Sequence, residues 1–461
     1  MTDDRTSGQP SEPRAEAPGA EVPAPRDEVA ASRAGVPASR PGAAASRDEA
    51  AVPSPFAGAL RGLDSAIGRG LARVTGRPVA PYQSAVIRIG FALTWLLFLL
   101  REWPHRDELY GPGSPWSWDM ARSLIASNHA FTVLLWSDSR VWFEIVYTVA
   151  ILASAALMLG WRTRTSALLF MIGVLSLQNR SVFEGDGGDN VIHIMAIYLL
   201  FTRCGQVWSL DARRARRRRE RDPRRAARDP YETNDVVGVA AWTAAAIGLL
   251  VVCALGDLSM FWASAFYVAL ALQGVWWLLR KYAQGEPRAV MEMVANVVHA
   301  GAMLVIVVEV CFIYATAGWY KIQGSRWEDG TALYYPLHLN DFTPWPALSH
   351  LMSSNGVVVM LITYGTVIVQ VAFPFTLFNR RVKNVLLVAM MCEHAAIAVT
   401  LGLPFFSLAM ITADAVFLPT GFLRWAGDRL VRTVSRGDRP AVPAQRDGER
   451  PRPATADTLP G

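Results

Sequence analysis

Long apolar blocks alternate with short polar connections through most of this chain. Ten blocks have approximately the length that an α-helix needs to cross the ~30 Å hydrocarbon core of a bilayer. These blocks are 84–100, 142–160, 163–178, 187–202, 236–256, 260–279, 294–319, 356–378, 384–401 and 404–420. The pattern predicts an all-α fold, a polytopic integral membrane helical bundle with about ten transmembrane helices, in the plasma membrane.

Polar segments flank the apolar region on both sides. Residues 1–58 are rich in Pro, Ala and Arg and contain a single aromatic residue. Such a segment cannot bury enough apolar surface to offset the entropy cost of ordering, so we expect a disordered tail. Residues 423–461 form a second polar tail. Between them, 59–79 is predicted to be an amphipathic surface helix and 80–422 the transmembrane domain.

Charge is distributed unevenly over the connections between blocks. If the N-terminus is cytoplasmic, every inner connection carries Lys or Arg, and Arg203–Asp229 alone contains eleven arginines. This agrees with the positive-inside rule and predicts that both termini are cytoplasmic. The segment Met120–Trp136 leaves two alternatives open: it lies in the outer interface, or it crosses and inverts the orientation of all later helices.

Composition narrows the function classes further. Apolar residues make up 52% of the 461 residues and charged residues 18%, which argues against a plain cytosolic enzyme. The basic stretch Arg213–Arg228 contains no aromatic residues, so we expect it to face the lipid bilayer rather than a nucleic-acid partner. The four cysteines show neither CxxC nor metal-ligand spacing, so we expect no metal site.

Two short blocks predict a pocket. Blocks 163–178 and 187–202 would each be about 24 Å long as helices, less than the bilayer core. The turn between them, Asn179–Asn190, should therefore lie partly below the outer surface. Irregular polar backbone at that depth is tolerated only where it is buried in protein or lines a wet cavity.

Small and polar residues occupy this turn and the following helix: Asp186, Gly187, Gly188, Asp189, Asn190 and His193. The glycines permit close backbone approach. Asp186, Asn190 and His193 share one helical face, and the N–H groups of the helix start favour an anion. The alternative is that an aspartate only caps the helix, beside a structurally hydrogen-bonded histidine.

A second cluster follows the long block 294–319 and contains Tyr314, Ala317, Gly318, Lys321, Trp327 and Tyr334. The small residues allow a neighbouring helix or a flat ligand to come close. Lys321 lies in an aromatic, poorly hydrated setting, where a lysine can accept a proton near neutral pH. The alternative is an ordinary interfacial lysine that extends to the membrane surface.

Other ionisable residues lie inside apolar blocks: Arg88, His299, Glu309, Glu393, His394 and Asp414. Glu393 and His394 are adjacent, about 100° apart on a helix, so they cannot both face one partner. Either one is a candidate for the pocket. Arg88 is better explained as a residue that pairs with a neighbouring helix or extends to the surface.

Five runs of the sequence resemble the HTTM family, the horizontally transferred transmembrane domain proteins related to the membrane domain of vitamin K-dependent γ-carboxylase. They are Tyr82–Gly90, Asn179–Asn190, Ala317–Tyr335, Phe373–Leu377, and His394 with Pro404–Ser407. The most specific run is AG-x-x-K-x-x-x-x-x-W, which starts at Ala317. The resemblance covers roughly residues 80–420.

The resemblance implies a chemistry. In the carboxylase, a lysine after an Ala-Gly pair deprotonates vitamin K hydroquinone, and the oxygenated species then removes a proton from a glutamate γ-carbon that captures carbon dioxide. By resemblance, Lys321 is the base and a menaquinol or vitamin K-type quinol is the cofactor. A polar residue at the outer start of the fourth span assists in that family, and Asn190 or His193 is the nearest match.

Two function hypotheses follow. In the first, the protein is a quinol-dependent membrane enzyme with Lys321 as base and the Asp186–His193 face as an orienting or oxyanion-stabilising group. This hypothesis predicts that Lys321 and the turn at 185–190 meet in one shielded chamber on the outer side of the bundle. In the second, the pocket is a non-catalytic site that assists maturation or export of a secreted peptide. The bacterial relatives also resemble the sporulation-delaying protein B group, and the sequence shows only a polar tail after the last span, where the carboxylase has a large lumenal domain.

Overall fold

A computed structural model describes residues 55–224, 236–256, 258–283 and 285–437. Two compact units divide at Leu60; all elements discussed below lie in the second, Arg61–Gly461, except the start of the first helix. The described residues are helical, with no strand among them. The predicted disordered tail and most of the C-terminal tail lie outside the described residues.

The described helices are α1 Pro55–Gly76, α2 Pro81–Arg101, α3 Arg106–Tyr110, α4 Trp118–Asn128, α5 Arg140–Leu159, α6 Thr163–Arg180, α7 Gly187–Phe201, α8 Leu210–Arg221, α9 Val236–Leu255, α10 Met260–Tyr282, α11 Glu286–Ile322, α12 Ser325–Glu328, α13 Pro346–Ser353, α14 Gly356–Ala372, α15 Arg380–Thr400, α16 Pro404–Asp414 and α17 Thr420–Gly437.

Local sequence sets several helix boundaries. Pro81 and Pro404 occupy the first turns of α2 and α16, where the missing N–H costs nothing. Gly160 ends α5 with φ 66°, a left-handed conformation that a glycine adopts without strain. The Asn379 side chain accepts hydrogen bonds from two backbone N–H groups at the start of α15, which satisfies donors that the helix leaves free.

Seven described helices are long and apolar enough to cross a membrane, or eight if the bent pair α16–α17 counts as one span. The seven are α2, α5, α9, α10, α11, α14 with the 3-10 turn that follows it, and α15. The chain therefore has the architecture of a multi-pass helical membrane protein. The count of about ten spans and the cytoplasmic termini stay predictions. The pair α16–α17 is bent by 118°.

The segment Met120–Trp136 contains no helix long enough to span. Its main element is α4, with 11 residues, or about 16 Å of helix. A 3-10 turn at Leu134–Trp136 follows. Both are far shorter than the bilayer core, so this segment favours the interfacial alternative over the crossing one.

One end of the bundle is organised by a buried arginine. Arg88 of α2 is fully buried. Its Nη1 donates to the carbonyls of Leu157 and Met158, at 2.5 and 2.9 Å, and its Nη2 donates to that of Trp208, at 2.7 Å. These carbonyls belong to the last turn of α5 and the segment before α8. Arg88 therefore pairs with neighbouring elements and does not extend to the surface.

Two more polar contacts complete this arginine end. The Asp211 carboxylate accepts hydrogen bonds from the N–H groups of Arg162 and Thr163, at 3.0 and 2.8 Å, which fixes α8 beneath the start of α6. The Arg203 guanidinium lies 2.8 Å from the Glu292 carboxylate, which fixes the segment after α7 to the first third of α11.

The opposite end, which we call the Asp186 end, contains the start of α7, the start of α16 and the last turns of α15. A Cβ on Gly188 would lie 2.6 Å from Cα of Phe406, so the backbones of α7 and α16 are in direct contact there. The core between the two ends is made by α2, α5, α6, α7, α11 and α16, with Trp95, Tyr147 and Phe170 fully buried.

Candidate functional site

The turn before α7 is a closed capping motif. Oδ1 of Asp186 accepts hydrogen bonds from the N–H groups of Gly188 and Asp189, at 2.7 and 3.1 Å. In return, Oδ2 of Asp189 accepts one from the N–H of Asp186 at 2.9 Å. Because carboxylates already occupy these N–H groups, the structure does not support the predicted anion site at this helix start. The capping alternative describes Asp186.

His193, one turn further along α7, is oriented by Gln178 of α6. Nε2 of Gln178 donates to the carbonyl of Asp189 at 2.9 Å, so Oε1 of the same amide faces Nδ1 of His193 at 2.8 Å. Since that oxygen can only accept, the neutral imidazole carries its proton on Nδ1. Nε2 of His193 is then an acceptor.

A cavity of about 230 Å³ opens beside these groups. Its polar lining includes Asp189, Asn190 and His193, and its aromatic lining is Trp95 and Tyr110. Burial, the largest cause, raises the pKa of Tyr110 well above its usual value, so the phenol is neutral. Asp189, Asn190 and His193, three of the residues predicted to lie in a pocket, therefore line this cavity.

Lys321 belongs to a different hydrogen-bond network. Its Nζ donates to Oε1 of Gln370 on α14 at 2.8 Å, and Nε2 of the same glutamine donates to Oε1 of Glu393 on α15 at 2.7 Å. Nζ also lies 5.2 Å from the centre of the Trp327 ring. The lysine is half-buried; its amine contacts an amide oxygen and an aromatic face, and the amide connects it to the carboxylate.

A buried triad lies next to this network. The hydroxyl of Tyr314 donates to Oδ1 of Asp414 at 2.9 Å and lies 3.1 Å from Nε2 of His394. All three side chains are at least 97% buried. As predicted, Glu393 and His394 face different partners: Glu393 contacts α14, and His394 contacts α11.

The two sets of residues lie at one end of the bundle but do not share the cavity. The lining of the 230 Å³ cavity does not include Lys321. Phe406 of α16 lies between the sets: its backbone contacts Gly188, and its ring centre lies 5.5 Å from that of His394. The single chamber expected for Lys321 and the Asp186 turn is therefore divided by a helix, because the two glycines admit α16 rather than a ligand.

The remaining predicted residues have separate positions. A Cβ on Gly318 would lie 2.5 Å from Cγ2 of Val371, so this glycine brings α11 and α14 together, with half-buried Ala317 beside it. Tyr334 stacks on His338, with ring centres 4.0 Å apart, rather than on the lysine. A Cβ on Gly187 would lie 3.3 Å from the ring of Phe406, so this glycine also faces α16.

Sequence reasoning missed the two glutamines that organise these networks, Gln178 and Gln370. Each is an uncharged polar residue inside an apolar block, where a polar side chain is costly unless it is paired. That cost is the signal that could have found them. His299, by contrast, is structural: its Nδ1 accepts from the N–H of Arg203 at 3.0 Å, and its Nε2 lies 2.7 Å from the carbonyl of Val79.

Metal binding has no support among the described residues, where no group of three or more His, Cys, Asp or Glu side chains could hold an ion. The four cysteines are free thiols.

Comparison with known proteins gives one match. The family model of the HTTM domain matches residues 77–224, which include α2 to α8 and the whole cavity lining. This confirms the resemblance for that segment. No curated protein and no solved structure shows significant similarity to the chain.

Proposed function

We propose that this multi-pass membrane protein, whose residues 77–224 match the HTTM domain, is an enzyme in which Lys321, outside the matched segment, acts as general base on an acidic hydroxyl group of a quinol-like lipid. The observation that supports this most is the series Lys321–Gln370–Glu393, with hydrogen bonds of 2.8 and 2.7 Å. A lysine that served only as a surface anchor would not require two polar side chains on two other helices.

The step assigned to Lys321 is a single proton transfer, after which dissolved oxygen takes two electrons from the quinolate and both protons to form quinone and hydrogen peroxide, which returns Lys321 to the neutral amine. The quinol O–H bond breaks, its proton moves to the lone pair of Lys321 Nζ, and the electron pair stays on the quinol oxygen. The resulting ammonium is stabilised by Oε1 of Gln370, by the Glu393 carboxylate through the same amide, and by the face of Trp327. These groups are already in place before the charge forms, which is how preorganised sites lower a barrier.

The neighbouring cavity, which α16 separates from Lys321, is a separate polar site in this proposal. There Nε2 of His193 can accept a hydrogen bond from a hydroxyl group, and Asn190 offers an amide. Because α16 separates these groups from Lys321, we expect His193→Ala to change neither kcat nor KM for the quinol, whereas Lys321→Met lowers kcat.

The test uses purified full-length protein in lipid nanodiscs with menaquinol and oxygen, followed by ultraviolet absorbance. Lys321→Met should lower turnover by about 100-fold or more, the usual contribution of a general base. Lys281→Met is the matched control, because Lys281 also lies over an aromatic ring, that of Trp277, at 4.7 Å. Equal turnover by wild type and Lys321→Met would refute the proposal.

A different outcome would favour the peptide hypothesis. If no quinol is consumed and a small secreted peptide co-purifies with wild type and with Lys321→Met alike, the network around Lys321 is structural. The same preparations serve both measurements.

A further inference from the structure

The cavity beside α7 has an exposed mouth and a buried floor. Glu184, Gly185 and Asn190 are exposed and lie in the turn before α7 and in its first turn. Trp95 of α2 and Tyr110 of α3, which are 1% and 3% exposed, line the same space from inside the bundle. A ligand can therefore enter at the polar turn and come to rest against two aromatic side chains.

Several polar groups that line this cavity are hydrogen-bond acceptors without a donor. Nδ2 of Asn190 donates to the carbonyl of Asp186 at 3.3 Å, which leaves the amide oxygen of Asn190 free to accept. Nε2 of His193 is an acceptor, because its Nδ1 donates to Gln178 at 2.8 Å. Oδ1 of Asp189 accepts no hydrogen bond from the described residues, since the bond from Asp186 goes to Oδ2.

The hydroxyl group of Tyr110 is an independent sign that the cavity takes a ligand. This buried hydroxyl has no hydrogen-bond partner in the part of the chain that the structure describes. It interacts electrostatically with the carboxylates of Asp189 and Glu184, so it lies near the acidic side of the cavity. A buried polar group without a partner is unfavourable, and a bound ligand can supply the missing contact.

The charged side chains that line the cavity are acidic. They are Glu184 and Asp189, and neither Lys nor Arg lines it within the described ranges. The nearby Arg180 is buried and donates to the carbonyls of Gly111 and Trp116, at 3.2 and 2.9 Å, so its guanidinium is already used by the loop before α4. Carboxylates, neutral acceptors and aromatic side chains around one space favour a cation.

The volume limits the size of this cation. A cavity of about 150 Å³ holds one benzene molecule, and this cavity, at about 230 Å³, has room for a ring with a short chain. We propose that it binds a small organic cation made of one ring and a primary ammonium group. Asp189, His193 and the Tyr110 oxygen are the acceptors for the ammonium, and the ring packs beside Trp95. This site is independent of the chemistry at Lys321.

Equilibrium dialysis with radiolabelled phenethylamine tests the proposal, with the full-length protein in phosphatidylcholine nanodiscs and with empty nanodiscs to measure uptake by lipid. We expect saturable binding of one molecule per protein. Two competitors of similar size test the role of charge: 2-phenylethanol is neutral, and 3-phenylpropionate is an anion. Each should bind at least about 10-fold more weakly than phenethylamine, because each lacks the charged donor.

Two substitutions test the location of the site without removing the cap of α7. Tyr110→Phe removes only the hydroxyl group and should weaken binding by about 10-fold, the effect of one hydrogen bond to a charged group. Glu184→Gln removes one exposed charge and should weaken it by about 3-fold. Asp119→Asn is the matched control, because it removes an exposed carboxylate of α4 that does not line the cavity, and it should bind like wild type.

The outcomes decide the proposal. Uptake that does not saturate, or that equals uptake by empty nanodiscs, shows that the cavity holds only water and overturns the site. Equal affinity for phenethylamine and 2-phenylethanol refutes recognition of a cation. Unchanged affinity in both Tyr110→Phe and Glu184→Gln places the amine elsewhere and also overturns it. Amine binding with the expected losses, in a protein that consumes no quinol, supports this site while it refutes the proposed function.

Discussion

Replacement of Gly318 by alanine tests the helix contact that positions Lys321. The added Cβ would lie 2.5 Å from Cγ2 of Val371, about 1 Å closer than ordinary contact, with backbone atoms of the same valine at 3.5 and 3.6 Å. Valine is stiff at χ1, so it cannot easily turn away. Overpacking of this kind costs about 1–3 kcal/mol, and alanine recovers about 1 kcal/mol of helix propensity. We expect a net destabilisation of up to about 2 kcal/mol.

The same helix offers the control. No atom lies within 4 Å of the Cβ position on Gly301, so Gly301→Ala should stabilise α11 by about 0.5–1 kcal/mol through propensity alone. Thermal unfolding in detergent micelles compares the two variants. Val371→Ala removes the clashing methyl group and should restore the stability of Gly318→Ala.

Separation of α11 from α14 also affects the chemistry. Gln370 precedes Val371 on α14, so a shift of about 1 Å at the clash would stretch the 2.8 Å bond from Lys321. Turnover with menaquinol should fall in Gly318→Ala and recover with Val371→Ala. If Gly318→Ala unfolds at the same temperature as Gly301→Ala, or if Val371→Ala brings no recovery, the close contact does not exist as described.

Two further substitutions test the structural assignments by the same unfolding measurement. Arg88→Met removes three hydrogen bonds from a buried guanidinium to backbone carbonyls and should destabilise the bundle by about 3 kcal/mol or more. The exposed control Arg69→Met should change stability by less than about 0.5 kcal/mol, and similar values for the two variants would contradict the buried role. Asp186→Ala removes the cap of α7 and should cost about 0.5–2 kcal/mol, and an unchanged unfolding temperature would show that the capping box contributes nothing.

Much of the helical framework could be predicted from the apolar blocks, because length and hydropathy alone determine whether a segment can span a bilayer. Each of the ten blocks overlaps a described helix. The cavity beside α7 could also be predicted from the sequence, because helices too short to cross the bilayer place the polar turn between them below the membrane surface. For Arg88 the sequence left two alternatives, pairing with a neighbouring helix or extension to the surface, and the structure shows the first.

The division of the site could not be predicted in this way. Periodicity places residues on a helix face but does not say which helix covers that face, and the approach of Phe406 to Gly188 is a contact between segments far apart in the sequence. The roles of Gln178 and Gln370 could not be predicted for the same reason. The hydrogen bonds that orient a side-chain amide depend on partners on other helices, which the sequence does not identify. A glycine allows another group to come close to its backbone, and only the packed structure shows whether that group is a ligand or a neighbouring helix.

Helix α11 runs without a break from the arginine end of the bundle to Lys321. It has 37 residues, and about 33 Å separate His299 from Lys321 at 1.5 Å per residue. One end is held by Arg203 and Val79, and the other carries the amine. A pivot of only about 5° around His299 displaces the amine by roughly 3 Å, more than the length of its bond to Gln370. A displacement at the arginine end would therefore reach the Lys321 amine through this one helix.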